Sequence, residues 1–156
     1  MTTRDLPVYR DPSVILMDQL KEVYVDGELE PVETAAYFPK IRRKDYTVSL
    51  NLATSGGIDP DGVFDLFYGC GSSLNWDGYC NPEVDRMIEQ QSREGDAEQR
   101  HKQAWEIERK LAEDASRPII FYASAASCRQ PAVKGPMLMV NSIFNSYRFE
   151  DVWLDR

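Results

Sequence analysis

Histidine, cysteine and long apolar stretches are scarce in this sequence of 156 residues, which contains one histidine and three cysteines. It has no CxxC pair, and His101 lies among charged residues, so the ligand spacing typical of a zinc site is missing. The longest uncharged apolar runs, such as 14–17 and 119–126, are far shorter than the roughly 18 to 20 residues that cross a bilayer. We therefore expect no metal, no cofactor and no membrane-spanning helix.

Basic residues are also in deficit, with 18 Lys and Arg against 26 Asp and Glu and a formal net charge of -8 at pH 7. A chain this acidic repels the phosphates of nucleic acids, so no nucleic-acid partner is expected. The first thirty residues contain scattered charges and lack the apolar core of a signal peptide. The sequence thus predicts a cytosolic protein, or one whose export signal lies outside this chain.

The composition is that of a folded protein, because 42% of the residues are hydrophobic and 11% are aromatic. The length fits one domain, residues 1–156, and no repeat or linker divides it. Apolar periodicity and capping residues predict alternating helices and strands. The predicted helices are 12–24 after Asp11, 35–43 capped by Thr34, 63–68, one opened by Asn81 and 97–114 opened by Asp96, with Trp105 among its apolar residues. The predicted strands are 28–33, 46–53 and 117–122, and a turn follows at 131–136.

This order of elements predicts an α/β fold with a mostly parallel sheet flanked by helices. In the strand 46–53, the apolar residues Tyr46, Val48, Leu50 and Leu52 alternate, which places them on one face of the sheet. Open α/β sheets bind ligands beyond the carboxyl ends of their strands. The loop that follows this strand is therefore the candidate ligand site.

Two carboxylates, Asp59 and Asp61, stand in this loop. They could bind calcium, anchor an amine or act as an acid/base pair, and the alternative is a simple turn. The segment lacks the spaced oxygen ligands of a calcium loop, and Gly56-Gly57 lacks the spacing of a phosphate-binding loop. His101 belongs to a polar helical surface, so we expect it to be solvated and not a general base.

A second candidate segment is bracketed by Cys70 and Cys80. The residues alone leave two alternatives open: a disulfide that closes the loop in an oxidising compartment, or two unpaired thiols. Between the cysteines, Asn75, Trp76 and Tyr79 offer amide and aromatic groups suited to holding a small solute. Packing of Trp76 into the core is an equal alternative.

Several sequence blocks follow one another in a characteristic order: YRDPSVILMDQLKEV, VETAAYFPKIRRKDYTVSLNL, DPDGVF, GYCNPEVDRMIEQQSRE, WEIERKLAEDASRPIIFY and PAVKG. Together they resemble the carboxyl-terminal lobe of family 5 extracellular solute-binding proteins, the dipeptide, oligopeptide and nickel receptors of ABC importers. The resemblance covers essentially the whole chain. It implies a periplasmic-binding-protein-like lobe that belongs to a larger two-lobed protein.

The resemblance also implies a function without catalysis. A peptide or other small solute would bind between this lobe and an amino-terminal lobe absent from the chain. ABC permease subunits in the membrane would then recognise the closed form. Members of the family are exported, which implies a periplasmic location with the signal peptide on the missing part. Export also favours a disulfide between Cys70 and Cys80.

The residues implied to face the cleft are Ser55, Gly56, Asp59, Asp61, Asn75, Trp76 and Tyr79. In peptide-binding relatives, an Asp that grips the amino group stands three residues before the acid-Pro pair, and here that position is Gly56. Either Asp59 or Asp61 compensates, or the solute has no ordinary free amino end. Two other classes remain as alternatives: a small enzyme using Asp59 and Asp61, and a small interaction module.

Overall fold

The computed structural model describes residues 1–53, 59–122, 126, 128–135 and 149–155. These residues form two compact units. The first contains residues 1–53 and 73–79, and the second contains residues 59–72 and the described residues from 80 onward.

The first unit is built on a parallel sheet of three short strands in the order β2-β1-β3. In register, Thr2 of the central strand lies opposite Glu30 and Ser49 of its two neighbours. The elements in chain order are β1 (Thr2–Arg4), α1 (Pro7–Glu22), β2 (Glu30–Val32), α2 (Thr34–Arg42) and β3 (Ser49–Leu50). The predicted α/β fold with parallel strands and flanking helices is thus confirmed.

The core of the first unit contains Tyr37, which is fully buried beside Ile41 and Leu50. The Tyr37 hydroxyl lies 2.8 Å from Ser49 Oγ and donates to the Leu50 carbonyl at 3.4 Å. Burial raises the pKa of Tyr37, and the hydrogen bond to Ser49 opposes that shift. A tyrosine of α2 therefore fixes the helix against β3 through both packing and hydrogen bonds.

The second unit is mainly helical. Apolar side chains of three successive helices form its core, namely Phe64, Phe67, Val84, Ile88, Ala104, Ile107 and Leu111. Its elements are α3 (Asp61–Tyr68), α4 (Pro82–Ser92), α5 (Ala97–Asp114), β4 (Val133–Lys134), a short 3-10 helix (Phe149–Asp151) and β5 (Trp153–Leu154). The strands β4 and β5 pair antiparallel.

Local capping sets the starts of α4 and α5, as the sequence predicts. The side chain of Asn81 accepts a hydrogen bond from the Glu83 N–H at 3.0 Å, and that of Asp96 accepts from the Gln99 N–H at 2.8 Å. Both predicted boundaries are confirmed, because a cap depends on residues only two or three positions away.

The predicted starts of the first two helices are wrong. Helix α1 begins at Pro7, with Leu6 in the capping position, and Pro12 lies inside the helix. Two prolines are both suited to a first turn, and the structure uses the earlier one. Thr34 is the first residue of α2, and Glu33 takes the capping position.

The strand predictions are wrong in extent, because pairing depends on partners distant in sequence. The strand predicted at 46–53 is reduced to β3, and Val48, predicted on the same face as Leu50, is 52% exposed whereas Leu50 is buried. The described residues of 117–122 form no strand, and Tyr122 is 85% exposed. No strand of the described chain pairs with this apolar run. The turn predicted at 131–136 gives way to β4 after residue 132.

Trp105, expected in the apolar stripe of α5, is also exposed, at 66%. Its ring stacks on His101, with 6.4 Å between the ring centroids. The buried stripe of α5 passes through Ala104 and Ile107 instead.

The disulfide between Cys70 and Cys80 is confirmed, with 4.7 Å between the two Cα atoms. It joins the residues just after α3 to those just before α4, while Cys128 is a free, exposed thiol. Within the described residues, no helix is long and apolar enough to cross a membrane. No group of three or more potential metal ligands occurs in that part of the chain either.

Candidate functional site

Arg4 is the last residue of β1, at the carboxyl end of the central parallel strand. Its guanidinium is half-buried and donates from Nη1 to the Tyr9 hydroxyl at 2.6 Å. From Nε and Nη2 it donates to Thr34 Oγ1 at 3.4 and 3.2 Å. Both partners are neutral hydroxyls, supplied by α1 and α2. The strand and both helices of the first unit thus hold one cation at the strand ends.

Two aromatic rings flank the same guanidinium. Arg4 Cζ lies 4.5 Å from the centroid of the Tyr9 ring and 5.3 Å from that of Phe38. The face of an aromatic ring attracts a cation and replaces part of its hydration. The two rings therefore support the charge without neutralising it.

Trp76 lies against the same aromatic group, with 5.7 Å between its ring centroid and that of Phe38. Its backbone carbonyl accepts a hydrogen bond from the Tyr46 hydroxyl at 3.1 Å. The indole Nε1 is buried and has no acceptor in the described structure. A buried N–H donor without an acceptor costs free energy, and none of the described residues offsets that cost for Trp76.

Asn75 organises the turn that carries Trp76. Its side-chain nitrogen donates to the Tyr79 carbonyl at 2.6 Å, and its oxygen accepts from the Gly78 N–H at 3.1 Å. Gly78 has a φ of 75°, and an added Cβ there would collide with the Lys44 ammonium. Asn75 is buried, so its amide holds the loop backbone together.

In the second unit, Asp59 forms a two-pronged ion pair with Arg100, at 2.6 and 2.8 Å. It also accepts the Asp61 backbone N–H at 3.0 Å. The hydrogen bonds from Arg100, followed by the one from the Asp61 N–H, lower the pKa of Asp59. This carboxylate stays ionised and is already occupied by a cation of its own chain.

Asp61 lies in the first turn of α3, and side chains of α4 hold its carboxylate. The fully buried Gln91 donates to it from Nε2, and Ser92 Oγ donates at 3.2 Å. Gln91 Oε1 accepts from Arg100 Nε at 3.3 Å, which links both aspartates into one network. The network fixes the start of α3 against α4 and α5.

The structure therefore divides the predicted site residues into two groups. Asp59 and Asp61 share one network in the second unit, and Asn75, Trp76 and Tyr79 share one turn in the first. Ser55 and Gly56 lie outside the described residues. Whether any of these residues contacts a solute stays a prediction.

Sequence reasoning missed Arg4, Tyr9 and Phe38 in the first unit, and Gln91 and Arg100 in the second. The sequence offered one indication of Arg4, which is a basic residue at the end of a strand just before a helix. Open α/β sheets bind ligands at that position. The pairing of Arg100 with Asp59 had no such signal, because 41 positions separate the two residues.

No protein-family model matches this sequence, and no curated protein matches it. The fold, however, is that of ABC transporter substrate-binding proteins. OppA from Burkholderia pseudomallei is 20% identical to this chain, with a TM-score of 0.82. DppA from Helicobacter pylori, a periplasmic binding protein in complex with the peptide STSA, is 17% identical, with a TM-score of 0.83. Each of these two matches covers 99% of this chain and 30% of the other protein.

CtaP from Listeria monocytogenes, an ABC transporter substrate-binding protein, is 25% identical, with a TM-score of 0.67 over 74% of this chain and 25% of its own. CtaP is described as an ABC transporter substrate-binding protein and DppA as an ABC transporter-associated periplasmic binding protein. The resemblance in fold to peptide-binding receptors is thus shown, and the chain spans less than a third of their length.

Proposed function

We propose that this chain is the carboxyl-terminal lobe of an ABC importer receptor that captures a peptide or other small solute for uptake. The observation that carries this proposal is the fold match, which covers 99% of this chain and only 30% of OppA and DppA. In this proposal residues 1–156 act as one domain of a larger two-lobed protein. The missing amino-terminal lobe supplies the other wall of the cleft.

The mechanism is binding and closure. The solute docks against this lobe, hinge closure buries it, and permease subunits in the membrane recognise the closed form. The proposed location is periplasmic, with the signal peptide on the amino-terminal part. Two neighbours, DppA and MppA, are described as periplasmic binding proteins, which supports this placement.

Within the predicted site, the contacts distinguish two roles. Asn75, Asp59 and Asp61 are already bonded to their own chain, so we propose that they shape the loops that present the solute site. Trp76 has a buried N–H without an acceptor in the described structure, so we propose that it contacts the solute directly. Tyr79, Ser55 and Gly56 complete the proposed set.

The same contacts weigh against an enzyme that uses Asp59 and Asp61 as an acid/base pair. A carboxylate whose pKa is lowered by Arg100 is a poor general acid near neutral pH. Asp61 is also engaged by its own chain, because its carboxylate accepts hydrogen bonds from Gln91 and Ser92. The receptor function of the structural neighbours agrees with a role in binding and not in turnover.

The proposal is tested by purifying the native polypeptide with an affinity tag, denaturing it and identifying the released small molecules by mass spectrometry. We expect one solute class at close to one molecule per chain. Trp76→Ala should reduce the retained amount at least about tenfold, since a buried contact is lost. Trp105→Ala is the matched control, because that exposed tryptophan of α5 lies outside the site, and it should retain the solute fully.

Two results would contradict the receptor function: purified protein that carries no solute, or protein that chemically converts the solute it is given. Trp76→Phe separates the two parts of the tryptophan contact. It keeps an aromatic ring against Phe38 and removes the N–H, so retention between that of the alanine variant and wild type is expected.

A second candidate, a small interaction module, is supported by one observation. Four consecutive apolar residues, Ile119 to Tyr122, are between 43% and 85% exposed. Exposed apolar patches commonly mark protein interfaces. This function predicts self-association that depends on concentration, and sedimentation of the chain alone as a strict monomer would exclude it.

A further inference from the structure

The Cys70–Cys80 disulfide closes a loop that carries part of the proposed solute site. The site residues in this loop are Asn75, Trp76 and Tyr79. Both cysteines belong to the second unit, whereas residues 73–79 belong to the first. The chain therefore leaves the second unit and returns to it within the closed loop, and the disulfide joins the two ends of that loop.

The loop has no regular backbone structure of its own. Residues 69–81 contain neither a helix nor a strand. Side-chain hydrogen bonds shape it instead, because the Asn75 amide bonds to the loop backbone and the Tyr46 hydroxyl donates to the Trp76 carbonyl. A segment without a backbone ladder opens at a low cost in free energy, so a covalent link between its ends limits its motion.

The disulfide is accessible from the solvent, since Cys80 is exposed and Cys70 is half-buried. A disulfide is reduced when a thiolate attacks one of its sulfur atoms, and the rate depends on access to that sulfur. Exposed disulfides are commonly the labile and regulatory ones, whereas shielded disulfides resist reduction. A dissolved thiol can therefore reach the link that closes the loop.

Other links hold the helices on either side of the disulfide, so its loss acts mainly on the loop. The backbone N–H of Cys70 donates to Asp85 Oδ1 at 3.0 Å, and Gln91 donates to Asp61. These hydrogen bonds join α3 to α4 with or without the disulfide. None of them holds residues 71–79, so reduction should loosen the loop while the second unit stays folded, although less stable.

We propose that the Cys70–Cys80 disulfide is a redox switch of the solute site, and this inference rests on the proposed receptor function. A thiolate of a dithiol reductant attacks one sulfur of the disulfide and forms a mixed disulfide, and the second thiolate of the reductant then displaces the remaining cysteine. The protein gains two electrons and two protons, and the reductant becomes a disulfide. The loosened loop binds the solute more weakly, because binding must then order the loop.

The first test follows the loop in the ¹⁵N-labelled chain, so it needs no solute. NMR spectra are recorded before and after reduction with dithiothreitol, and a thiol count verifies that the disulfide is open. The indole N–H signals of Trp76, Trp105 and Trp153 are the reporters. We expect the Trp76 signal to shift or broaden. The signals of Trp105 on α5 and Trp153 on β5 should stay in place, because both residues are exposed and lie outside the loop.

The second test measures the affinity of the native polypeptide for its co-purified solute with and without dithiothreitol. Reduction should weaken binding at least about fivefold, the lower end of ordinary coupling between two sites. The double variant Cys70→Ser, Cys80→Ser should bind as weakly as the reduced protein and ignore the reductant. Cys128→Ser is the matched control, since it removes the exposed free thiol and keeps the disulfide, and it should respond like wild type. If circular dichroism shows that the double variant is unfolded, the reduced wild-type protein decides.

Three results would overturn the switch: a Trp76 signal that is unchanged after verified reduction, equal solute affinity of the oxidised and reduced proteins, or unfolding of the reduced wild-type protein. The failure of the switch and the failure of the receptor function are distinguishable. A native protein that carries a solute and binds it equally well in both states removes the switch alone. A native protein that carries no solute removes the receptor function, while a Trp76 response to reduction still supports the redox control of the loop.

Discussion

Arg4 and Arg100 are both half-buried arginines, but only Arg100 has a carboxylate partner among the described residues. Arg100 is neutralised by Asp59 and also donates to Gln91. Arg4 meets only hydroxyls and aromatic rings. A carboxylate partner lowers the energetic cost of a half-buried cation, and among the described residues Arg100 has such a partner and Arg4 does not.

The ion pair of Asp59 predicts a pH dependence of stability. Its pKa is lowered in the folded state, so the interaction stabilises the fold fully above the unfolded value of about 3.9 and is lost as the pH falls through the folded pKa. Asp59→Asn should lower the melting temperature by about 1 to 3 °C at pH 7, with the difference shrinking below about pH 4.

Glu108→Gln is the control for this measurement, because Glu108 is an exposed acid of α5 outside the ion pairs of the described residues. It should change the melting temperature little at either pH. An Asp59→Asn difference that persists unchanged at pH 3 would show that the ion pair is not its cause.

At the scale of elements, the second unit contains short helices and strands, and links between these elements hold them in place. The Cys70–Cys80 disulfide joins the end of α3 to the start of α4, and the Asp61–Gln91 hydrogen bond joins the start of α3 to α4. The two-residue strands β4 and β5 are too short to be stable by their own pairing. Helices α3 and α4 are thus joined by one covalent link and one side-chain hydrogen bond.

Removal of the disulfide should destabilise the second unit. Closure of a loop of this length is worth about 2 to 3 kcal/mol in the chain-entropy description. The double variant Cys70→Ser, Cys80→Ser should lose about that much free energy of unfolding in urea titrations. Cys128→Ser, which removes the exposed free thiol, should unfold like wild type, and equal stability of all three proteins would contradict the structural role.

The pairing of β4 with β5 should depend on Gly135. This residue has a φ of 87°, and a Cβ added there would collide with the Asp151 backbone carbonyl. Gly135→Ala should lower the free energy of unfolding by at least about 1 kcal/mol, because the cost of a left-handed backbone at alanine adds to the cost of the steric clash.

Gly95→Ala is the control for this substitution, since an added Cβ there meets nothing within 4 Å. It should be neutral in the same thermal or urea unfolding experiment. Equal effects of the two alanine substitutions would mean that the Gly135 backbone is not a constraint.

At the scale of the whole molecule, the sequence predicted local features well and distant ones poorly. Helices α4 and α5 were predicted from their caps and apolar stripes, which lie within a few residues of each other. The strand prediction at 117–122 was wrong, because an apolar run alone does not indicate whether a partner strand is present. Arg4 was missed because Tyr9, Thr34 and Phe38 come to it from different parts of the chain.

One lobe supplies only part of the contacts to a solute. The solute released from the native protein should therefore bind the 156-residue chain at least about a hundredfold more weakly than it binds that protein, because about half of the buried contacts are missing. Calorimetric titration of the chain measures this directly. Micromolar binding by the chain alone would contradict the two-lobed account.

The central claim, that this chain is one lobe of an importer receptor, is tested most directly by the size and compartment of the native polypeptide. An antibody raised against the chain should detect a band about three times its 17.9 kDa in an envelope or periplasmic fraction, since the chain covers 30% of OppA and DppA. A native product of 17.9 kDa in the cytosol would contradict the claim and return the enzyme and interaction functions to consideration.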